Sequence, residues 1–479
     1  MADRKLGLLF QVALKGRDLE TNKRFLEKIR PWSIVLFSDN FSTAVELNEL
    51  INAVSHFYRS ELSMPAPLFS IDQEGGNVIR AWDIPFPPSN MAVGATDDEK
   101  LAYYSGLLSG YHLIVNGVGW NLAPVLDVND SPANPIIGIR SYGDDPDFVS
   151  RMGNAYIRGL KAQGCLSTAK HFPGHGSVSV DSHIDLPVDE RAADEIRRTA
   201  LPFAAALESG VDTVMVSHLY YPSLTGEKDL PATLSVEVIT GLLRNEMGCN
   251  VPVLTDSLSM GAVKKHFPPS ESALMAIRAG ADIIEDTDQD DVDEMYSSLE
   301  AKAASLDSFL SAAYKRVERL FGEPRASVPP SAETLQHLIR CSVTALGPGT
   351  QPFVRADRRW AVYDCEVTVG GRKFMPLSEA LAELGIDHVG GGEDTAGLPA
   401  LVLMYGEHLK KHNDISSIRK RHSELYAIGA GTPYDAYAVS GIPYFTGYSP
   451  NVQSVKACLE ALFGIFTPRG KVPVSLKSF

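Results

Sequence analysis

The densest group of side chains able to do chemistry lies in the segment 170–183, which reads KHFPGHGSVSVDSH. Two glycines and a proline interrupt it, so we expect a loop rather than a helix. One interpretation is a metal site built from the imidazoles and the carboxylate of this loop, namely His171, His175, His183 and Asp181. Their spacing, however, matches no ligand pair on a helix. A second interpretation is a structural loop whose histidines are hydrogen-bonded to their surroundings.

Proton transfer is a third interpretation of the same loop. Asp181 and His183 stand two residues apart, and in an extended segment this spacing lets the carboxylate bind one imidazole nitrogen. The tautomer is then fixed, and the other nitrogen can carry a proton near neutral pH. We therefore treat Asp181 and His183 as a candidate acid/base dyad, with the metal and the structural alternatives still open.

A further candidate is Asp256, which ends an apolar run in the segment VLTDSLSM, residues 253–260. A carboxylate in this position can act as a nucleophile if it is ionised, rigidly held and directed into a cleft. Aspartate is also common at the N-cap of a helix. This segment alone does not separate the two roles.

Two other segments offer groups for a polar ligand. Asp72 stands beside a glycine pair in FSIDQEGG, residues 69–76, and Arg80 follows shortly after it. Glycine permits a close approach of the backbone to a ligand, although a capped turn has the same composition. Arg140, in NPIIGIRSYG, residues 134–143, is either a cation in a cleft or one half of a surface ion pair.

The elements that must position these residues alternate between short apolar runs and longer amphipathic stretches. The eight candidate strands are Gly7–Val12, Ser33–Phe37, Leu68–Ile71, Trp120–Leu126, Ser167–Lys170, Thr213–Val216, Val253–Thr255 and Asp282–Glu285. Most are apolar throughout, as expected for parallel strands buried on both faces. Segments of helical periodicity separate them, such as Asp18–Arg30, Asp189–Ser209 and Ser235–Glu246. Repeated units of this count and length predict a (β/α)8 barrel.

The carboxyl end of nearly every candidate strand carries polar residues. They are Gln11, Ser38-Asp39, Asp72-Gln73-Glu74, Asp127, Lys170-His171, Ser217-His218, Asp256-Ser257 and Glu285-Asp286. In a parallel barrel these ends meet at one face, and the active sites of barrel enzymes lie there. Helix caps would explain single cases, but the regular recurrence favours a functional site.

A change in composition follows the barrel pattern. Residues 321–330 and 347–352 are rich in proline and glycine, and Ala332–Leu346 between them has a helical pattern. Beyond them we expect a smaller α/β sandwich domain with strands at Trp360–Tyr363, Ala400–Met404, Leu425–Ile428 and Ala436–Val439. The predicted limits are 1–322 for the catalytic barrel, 323–355 for a linker with a helix and 356–479 for the sandwich domain.

Composition argues against several classes of function. The formal net charge of −15 disfavours binding to nucleic-acid phosphates. No apolar run reaches the roughly 18 residues of a membrane span. The five cysteines are scattered without a paired or zinc-type spacing, which favours reduced thiols and a cytoplasmic location. The sequence predicts no cofactor and leaves the oligomeric state open.

Taken together, the four segments resemble the glycoside hydrolases of family 3, in their β-N-acetylglucosaminidase branch. The pattern KHFPGHG…DSH is highly specific, and DQEGG, the IRS-Y-G arginine segment and TDSLSM follow the family's order. The resemblance covers roughly residues 5–320, and the tail from Tyr444 to Val474 resembles the end of the family's second domain. Asn77 departs from the pattern, because many relatives carry a basic residue there.

The resemblance implies a role for each candidate. Asp256 would be the nucleophile of a covalent glycosyl-enzyme intermediate, and His183, held by Asp181, would protonate the leaving oxygen and then activate water. The sugar hydroxyls would be bound by Asp72, Arg80, Arg140, Lys170 and His171. Retention needs two groups on opposite faces of the anomeric carbon. Because a His–Asp pair replaces the usual acid/base carboxyl, the second domain would have a supporting role.

On this resemblance we expect a retaining, exo-acting β-N-acetylglucosaminidase that needs neither metal nor cofactor. Its substrates would be small carbohydrates that end in a β-linked N-acetylhexosamine, first peptidoglycan fragments and second chitooligosaccharides. The alternatives are a phosphorylase, in which phosphate replaces water, and a non-catalytic sugar-binding barrel. The sequence gives no preference between gluco and galacto sugars.

Overall fold

The computed structural model describes residues 6–178, 186–225, 229–322, 328–347, 354–369, 371–405 and 415–476. These residues form a barrel, followed by a smaller domain built around a separate sheet. Within these ranges, none of the helices combines the length and the apolar character that a bilayer crossing requires.

The barrel is made of parallel strands that are buried along most of their length. Its eight described strands are β1 (Phe10–Ala13), β2 (Ser33–Leu36), β3 (Leu68–Ile71), β4 (Trp120–Asn121), β5 (Leu166–Phe172), β6 (Thr213–Val216), β7 (Val253–Thr255) and β8 (Ile284–Asp286). Each strand pairs with its neighbour in sequence, and β1 also pairs with β8. A bridge between Leu254 and Ile283 joins β7 to β8 and closes the ring. The predicted (β/α)8 barrel is confirmed.

Helices follow the strands and bury their apolar residues in the same core. In the described part of the barrel they are α1 (Lys23–Ile29), α2 (Ala44–Ser60), α3 (Asn90–Thr96), α4 (Glu99–Val115), α5 (Pro146–Ala162), α6 (Ala193–Thr199), α7 (Leu201–Glu208), a π-helix (Glu237–Glu246), α8 (Gly261–Lys264), α9 (Pro269–Ala279), α10 (Gln289–Lys302) and α11 (Asp307–Val317). Helices α4 and α5 lie close together because Gly106 and Gly159 face each other's backbone, where a Cβ atom would collide with a carbonyl oxygen.

The largest shortening relative to the predicted barrel strands is in β4 and β1, which are each at least two residues shorter than expected. The run Trp120–Leu126 is a strand only over Trp120–Asn121, since Pro124 has no N–H to donate to a ladder. The first strand lacks its first three predicted residues, because Leu6–Leu9 forms a 3-10 turn. Both differences concern the length of a strand and not its place in the barrel.

The second domain contains a sheet of parallel strands with one antiparallel edge. Its described strands are, in sheet order, β13 (His388–Gly390), β10 (Trp360–Tyr363), β14 (Ala400–Met404), β15 (Leu425–Gly429), β16 (Tyr444–Thr446) and β9 (Thr344–Leu346), with a separate hairpin of β11 (Val367–Val369) and β12 (Arg372–Phe374). The described helices are α12 (Ala332–Ser342), α13 (Pro376–Glu383), α14 (Ile415–Arg421) and α15 (Val452–Leu462). Apolar clusters flank this sheet, as an α/β sandwich requires.

Two predictions in this region are wrong. The helix expected over Ala332–Leu346 ends at Ser342, and Thr344–Leu346 is the edge strand β9, which pairs antiparallel with β16. The strand expected over Ala436–Val439 belongs to a 3-10 helix that begins at Pro433, where the fixed φ of proline favours a helical start. The predicted domain limits stay a prediction.

Contacts between the two domains support the segment that carries Arg140. The Ser89 hydroxyl donates to the carbonyl of Tyr448 over 2.6 Å, and the Ser89 N–H donates to the hydroxyl of Ser449 over 2.8 Å. Ile139, next to Arg140, packs in an apolar cluster that includes residues of both domains. The second domain therefore helps to hold one wall of the barrel's functional face.

Candidate active site

A cavity of about 480 Å³ opens at the carboxyl ends of the barrel strands. Of the eight predicted site residues, six line it: Asp72, Arg80, Arg140, Lys170, His171 and Asp256. Asp181 and His183, the predicted acid/base dyad, lie outside the described residues. The structure thus brings together side chains from segments that are far apart in sequence, as the barrel prediction required.

Lys170 is the central cation of the cavity. Although only 2% exposed, its ammonium group binds Asp72 at 2.7 Å and Glu74 at 2.6 Å. Both Lys170 and its neighbour His171 line the cavity, whereas consecutive residues of a regular strand point to opposite faces. The pairing of β5 with β6 shifts in register between Ala169 and Phe172, which is where the two side chains face the same cavity.

Arg140 also binds Glu74, one of the two carboxylates that contact Lys170. Its Nε and Nη2 atoms each donate to Glu74 over 2.8 Å, in the two-bond geometry that guanidinium and carboxylate groups prefer. Arg80 lies farther from its partner, with Nη2 3.5 Å from Asp72. Sequence reasoning missed Glu74 as a site residue, although it ends the polar group that begins with Asp72.

The charges of this network are fixed by one another. Burial acts to raise the pKa values of Asp72 and Glu74, but nearby cations outweigh it and hold both pKa values below their ordinary range. Burial likewise acts to lower the pKa values of Lys170 and Arg140, and their carboxylate partners raise both above the ordinary range. All four side chains therefore stay charged near neutral pH and present fixed donors and acceptors to a polar ligand.

His171 is oriented by Asp127, a fully buried residue beyond β4. The Nδ1 atom of His171 lies 2.7 Å from Asp127, whose carboxylate also accepts the His175 backbone N–H over 2.7 Å. An Nδ1–H donor leaves Nε2 of His171 as the acceptor, and Nε2 lies 3.4 Å from Arg140 Nη2. Asp127 was identified only as one of the polar strand ends, and its role as a support was missed.

His175 is the second described histidine of the loop. Burial lowers the pKa of His175 to about 4, so the ring is neutral at pH 7. Its ring packs edge-on against His171, with centroids 6.1 Å apart. Within the described residues no three His, Cys, Asp or Glu side chains are grouped as a metal site, while half of the side chains named for a metal site, Asp181 and His183, lie outside that part of the chain.

Asp256 follows β7, and it is partly exposed to the cavity. Its Oδ1 accepts the N–H of Ser257 over 2.8 Å, and its own N–H donates to the carbonyl of Val216 over 3.1 Å. The next helix, α8, has Met260 at its N-cap. Asp256 is therefore not a helix cap, and its carboxylate is held by its own backbone at the edge of the cavity.

Strands β3 and β7 lie four positions apart in a ring of eight described strands, so Asp256 faces the charged network across the cavity. One side offers fixed cations and carboxylates, which can hold several hydroxyl groups by charge-assisted hydrogen bonds. The other side offers a partly exposed carboxylate, which can attack an electrophilic carbon. The cavity between them, about 480 Å³, is within the size range of small-molecule sites.

Glu285, at β8, is a further carboxyl group that sequence reasoning named only as a strand end. It lines the cavity and is 4% exposed. Its described polar partner is the amide of Gln11, whose Nε2 donates to Oε2 over 3.2 Å. Burial, followed by the negative charge of Asp256, raises the pKa of Glu285 well above its ordinary value.

Comparison with known proteins gives a consistent result for the barrel. The chain matches the model of the glycosyl hydrolase family 3 N-terminal domain over residues 1–320. It is 31% identical to the β-hexosaminidase of Stenotrophomonas maltophilia strain K279a over 309 residues, which cover 62% of this chain and 89% of that protein. It is 34% identical to β-hexosaminidase A of Pseudoalteromonas piscicida over 265 residues, or 52% of this chain, and spans 44% of the length of that relative.

A solved structure extends the similarity to both domains. It is a glycoside hydrolase family 3 β-N-acetylglucosaminidase from Paenibacillus sp. FPU-7, with a TM-score of 0.89 and 28% identity. The match covers 99% of this chain and 98% of that one. The arrangement of barrel and sandwich domain is therefore shared with this enzyme.

Proposed function

The chain belongs to glycosyl hydrolase family 3, and from this premise we propose that it is a retaining, exo-acting β-N-acetylglucosaminidase with Asp256 as its nucleophile. The observation that carries the proposal is the placement of Asp256, which faces the fixed charges of Asp72, Glu74, Lys170 and Arg140 across one cavity. The similarity to curated β-hexosaminidases supports the choice of substrate class.

The proposed reaction has two displacements at the anomeric carbon. In the first, the ionised carboxylate of Asp256 attacks this carbon, the bond to the leaving oxygen breaks, and that oxygen takes a proton from His183. In the second, His183 takes a proton from water, the water oxygen attacks the same carbon, and Asp256 leaves as a carboxylate. Two inversions restore the β configuration of the substrate.

The acid/base role of His183, with Asp181 as its partner, rests on the sequence pattern, since both residues lie outside the described part of the chain. Histidine is a suitable group because its ordinary pKa is already close to neutral. A carboxylate next to the ring favours the protonated imidazole, which is the form that the first step requires.

The charged network has the proposed task of holding the hydroxyl groups of the terminal sugar. Ion pairs with Asp72 and Glu74 keep Lys170 charged, and Asp127 fixes the orientation of His171. Such a preformed set of donors and acceptors does not have to rearrange on binding, which lowers the barrier of the reaction. Arg80 and Arg140 complete the proposed sugar-binding residues.

We also propose the natural substrates and the compartment. Peptidoglycan fragments are the first candidate and chitooligosaccharides the second, both with a terminal β-linked N-acetylhexosamine. The five cysteines are free thiols, which supports a reducing compartment such as the cytoplasm. We keep 1–322, 323–355 and 356–479 as the proposed limits of the barrel, the linker and the sandwich domain.

The function is tested by following purified protein with an aryl N-acetyl-β-glucosaminide and with the matching glucoside. We expect release of N-acetylglucosamine that NMR first detects as the β anomer, and little turnover of the glucoside. Inversion of configuration, or equal turnover of both glycosides, would contradict the proposal.

Phosphate provides a second arm of the same experiment. With phosphate present, a hydrolase still releases free sugar, whereas a phosphorylase forms a sugar 1-phosphate at the expense of the free sugar. Binding of the sugar without turnover under either condition would favour the non-catalytic alternative.

A further inference from the structure

Glu285 lines the same cavity as Asp256 and lies beside the segment that carries it, and the two displacements proposed above do not use it. Its backbone is bound on both sides of Asp256: the N–H donates to Thr255 Oγ1 over 3.0 Å, and the carbonyl accepts the N–H of Leu258 over 3.1 Å. The side chain lines the cavity although the residue is 4% exposed. Glu285 is therefore held rigidly beside the proposed nucleophile.

Among the described residues, no lysine or arginine forms an ion pair with the Glu285 carboxyl. Lys170, whose positive charge reaches it, is already bound to Asp72 and Glu74 at 2.7 and 2.6 Å. Gln11 provides a neutral amide at 3.2 Å. Burial of an ionised carboxylate without a cation is costly, so a carboxyl group in this position keeps its proton.

The carboxylates near Glu285 also favour its protonated form. Asp256 approaches from β7, Asp72 from the end of β3, and Asp286 is the next residue of β8, and these carboxylates outweigh the positive charge of Lys170. Burial and then these carboxylates raise the pKa of Glu285 well above its ordinary value. A proton on Glu285 also leaves Asp256 free to stay ionised.

We propose that Glu285 is a further substrate-contacting residue, a neutral carboxylic acid that donates one hydrogen bond to an oxygen of the bound sugar. The inference rests on the proposed function. Its Oε2 atom is bound by Gln11, and its Oε1 atom has no hydrogen-bond partner in the described part of the chain. The O–H group of the acid is thus available to a ligand in the cavity.

The protonation of Glu285 is tested without any substrate. The raised pKa means that the folded protein binds a proton which the unfolded chain releases above its ordinary pKa of about 4.3. Wild-type stability therefore falls, relative to Glu285→Gln, as the pH rises from about 4.5 to 7.5. We expect the difference in the midpoint of thermal unfolding between the two proteins to widen over this range in favour of the variant.

Glu49→Gln serves as the matched control for this measurement, since Glu49 is an exposed carboxylate of α2. It should follow the wild type at every pH. A constant difference between Glu285→Gln and the wild type across the range would show that Glu285 is ionised in the folded protein and would overturn the proposal.

The contact with substrate is tested by the KM for the aryl N-acetyl-β-glucosaminide. Loss of one neutral hydrogen bond in Glu285→Ala should raise KM about five- to tenfold, with a smaller effect on kcat. Glu285→Gln keeps a donor at the same place and should restore KM to within about threefold of the wild type. The wild-type KM should rise at alkaline pH as Glu285 loses its proton, whereas the KM of Glu285→Gln should not follow this rise.

The outcomes separate this inference from the proposed function. If the wild type does not hydrolyse the glycoside, the proposed function is wrong. The thermal measurement still decides whether Glu285 is protonated. If the wild type is active but Glu285→Ala leaves KM unchanged, Glu285 does not contact the sugar. A failure of Glu285→Gln to restore KM would also contradict a role as a neutral donor.

Discussion

Two buried glutamates at the ends of β3 and β8 line the same cavity in opposite electrostatic surroundings. Glu74 is bound by both Arg140 and Lys170, whereas Glu285 has the neutral amide of Gln11 as its described polar partner. Nearby cations hold the pKa of Glu74 far below its ordinary range despite burial, and burial with neighbouring carboxylates raises the pKa of Glu285. Residue type and depth therefore do not decide the charge of a carboxyl; the cations that other strands bring to it do.

The difference divides the cavity into two functional sides. The β3 and β5 side carries a network in which carboxylates and cations neutralise one another, so it suits the binding of uncharged hydroxyl groups. The β7 and β8 side carries Asp256 beside a neutral acid. A nucleophile must be ionised and able to leave again, and the carboxylate of Asp256 is partly exposed to the cavity in which the sugar would lie.

The largest expected effect is that of Asp256→Ala, which removes the nucleophile of the second side. We expect kcat for the aryl N-acetyl-β-glucosaminide to fall on the order of 10⁴-fold or more, while calorimetry still detects binding of the sugar to the intact network. Asp39→Asn is the matched control, because Asp39 is an exposed aspartate just beyond β2 that does not line the cavity. Near-normal turnover by Asp256→Ala would show that Asp256 is not the nucleophile. It would also contradict the division of the cavity into a binding side and a reactive side.

His183→Ala should have the next largest effect, because it removes the proposed proton donor. For a substrate with a poor leaving group we expect a loss of about 10²- to 10⁴-fold in kcat/KM. An activated aryl glycoside needs no protonation of its leaving oxygen and should lose much less in the first step. An equal loss on both substrates would argue against proton donation by His183.

Glu74→Ala tests how much the charged network contributes to the stability of the protein. The change leaves Lys170 and Arg140 buried with fewer counter-charges, so we expect the free energy of unfolding to fall by about 3–5 kcal/mol. Glu285→Ala removes no ion pair and should cost clearly less. Urea unfolding of both variants at neutral pH measures the difference, and equal losses would contradict the comparison of the two glutamates.

The dependence of stability on low pH is a further test of the ionised state of Glu74. Nearby cations lower the pKa values of Asp72 and Glu74 in the folded protein. The two carboxylates therefore stabilise the fold fully above their ordinary pKa values of about 4, and this contribution is lost as the pH falls below those values. Glu74→Gln should therefore lose less stability on acidification than the wild type does. A parallel decline of the two proteins between pH values of about 5 and 2.5 would contradict this reading.

Lys471→Ala should have the smallest effect. Lys471 binds Asp97 at 2.9 Å, but its side chain is 73% exposed. Exposed ion pairs contribute no more than about 1 kcal/mol, so we expect a change in the free energy of unfolding below that value and an unchanged kcat. A loss as large as that of Glu74→Ala would show that exposure does not separate the two kinds of ion pair.

Much of the architecture could be predicted from the sequence because parallel strands leave a strong local signal. Each buried strand is a short apolar run, and polar residues such as Asp72, Lys170 and Asp256 mark its carboxyl end. The barrel then brings these ends to one face without further information. The helix over Ala332–Leu346 was wrong in its last residues because β9 is specified by its partner β16, which local periodicity does not reveal.

The partners of the predicted residues were harder to obtain. Asp72 and Glu74 are two residues apart in one segment, yet only the structure shows that Glu74 binds both Lys170 and Arg140. In the sequence, Asp127 is one polar strand end among several, and only its contact with His171 distinguishes it from the others. Such choices depend on distances between strands, and no single segment encodes them.

The most direct test of the central claim is to trap the glycosyl-enzyme intermediate. A fluorinated N-acetyl-β-glucosaminyl donor with a good leaving group forms the intermediate faster than it is hydrolysed, and mass spectrometry of a digest then locates the attached sugar. We predict one adduct, on the peptide that contains Asp256, and none in Asp256→Ala. An adduct on the peptide of Glu285, or product of inverted configuration without any adduct, would contradict the account.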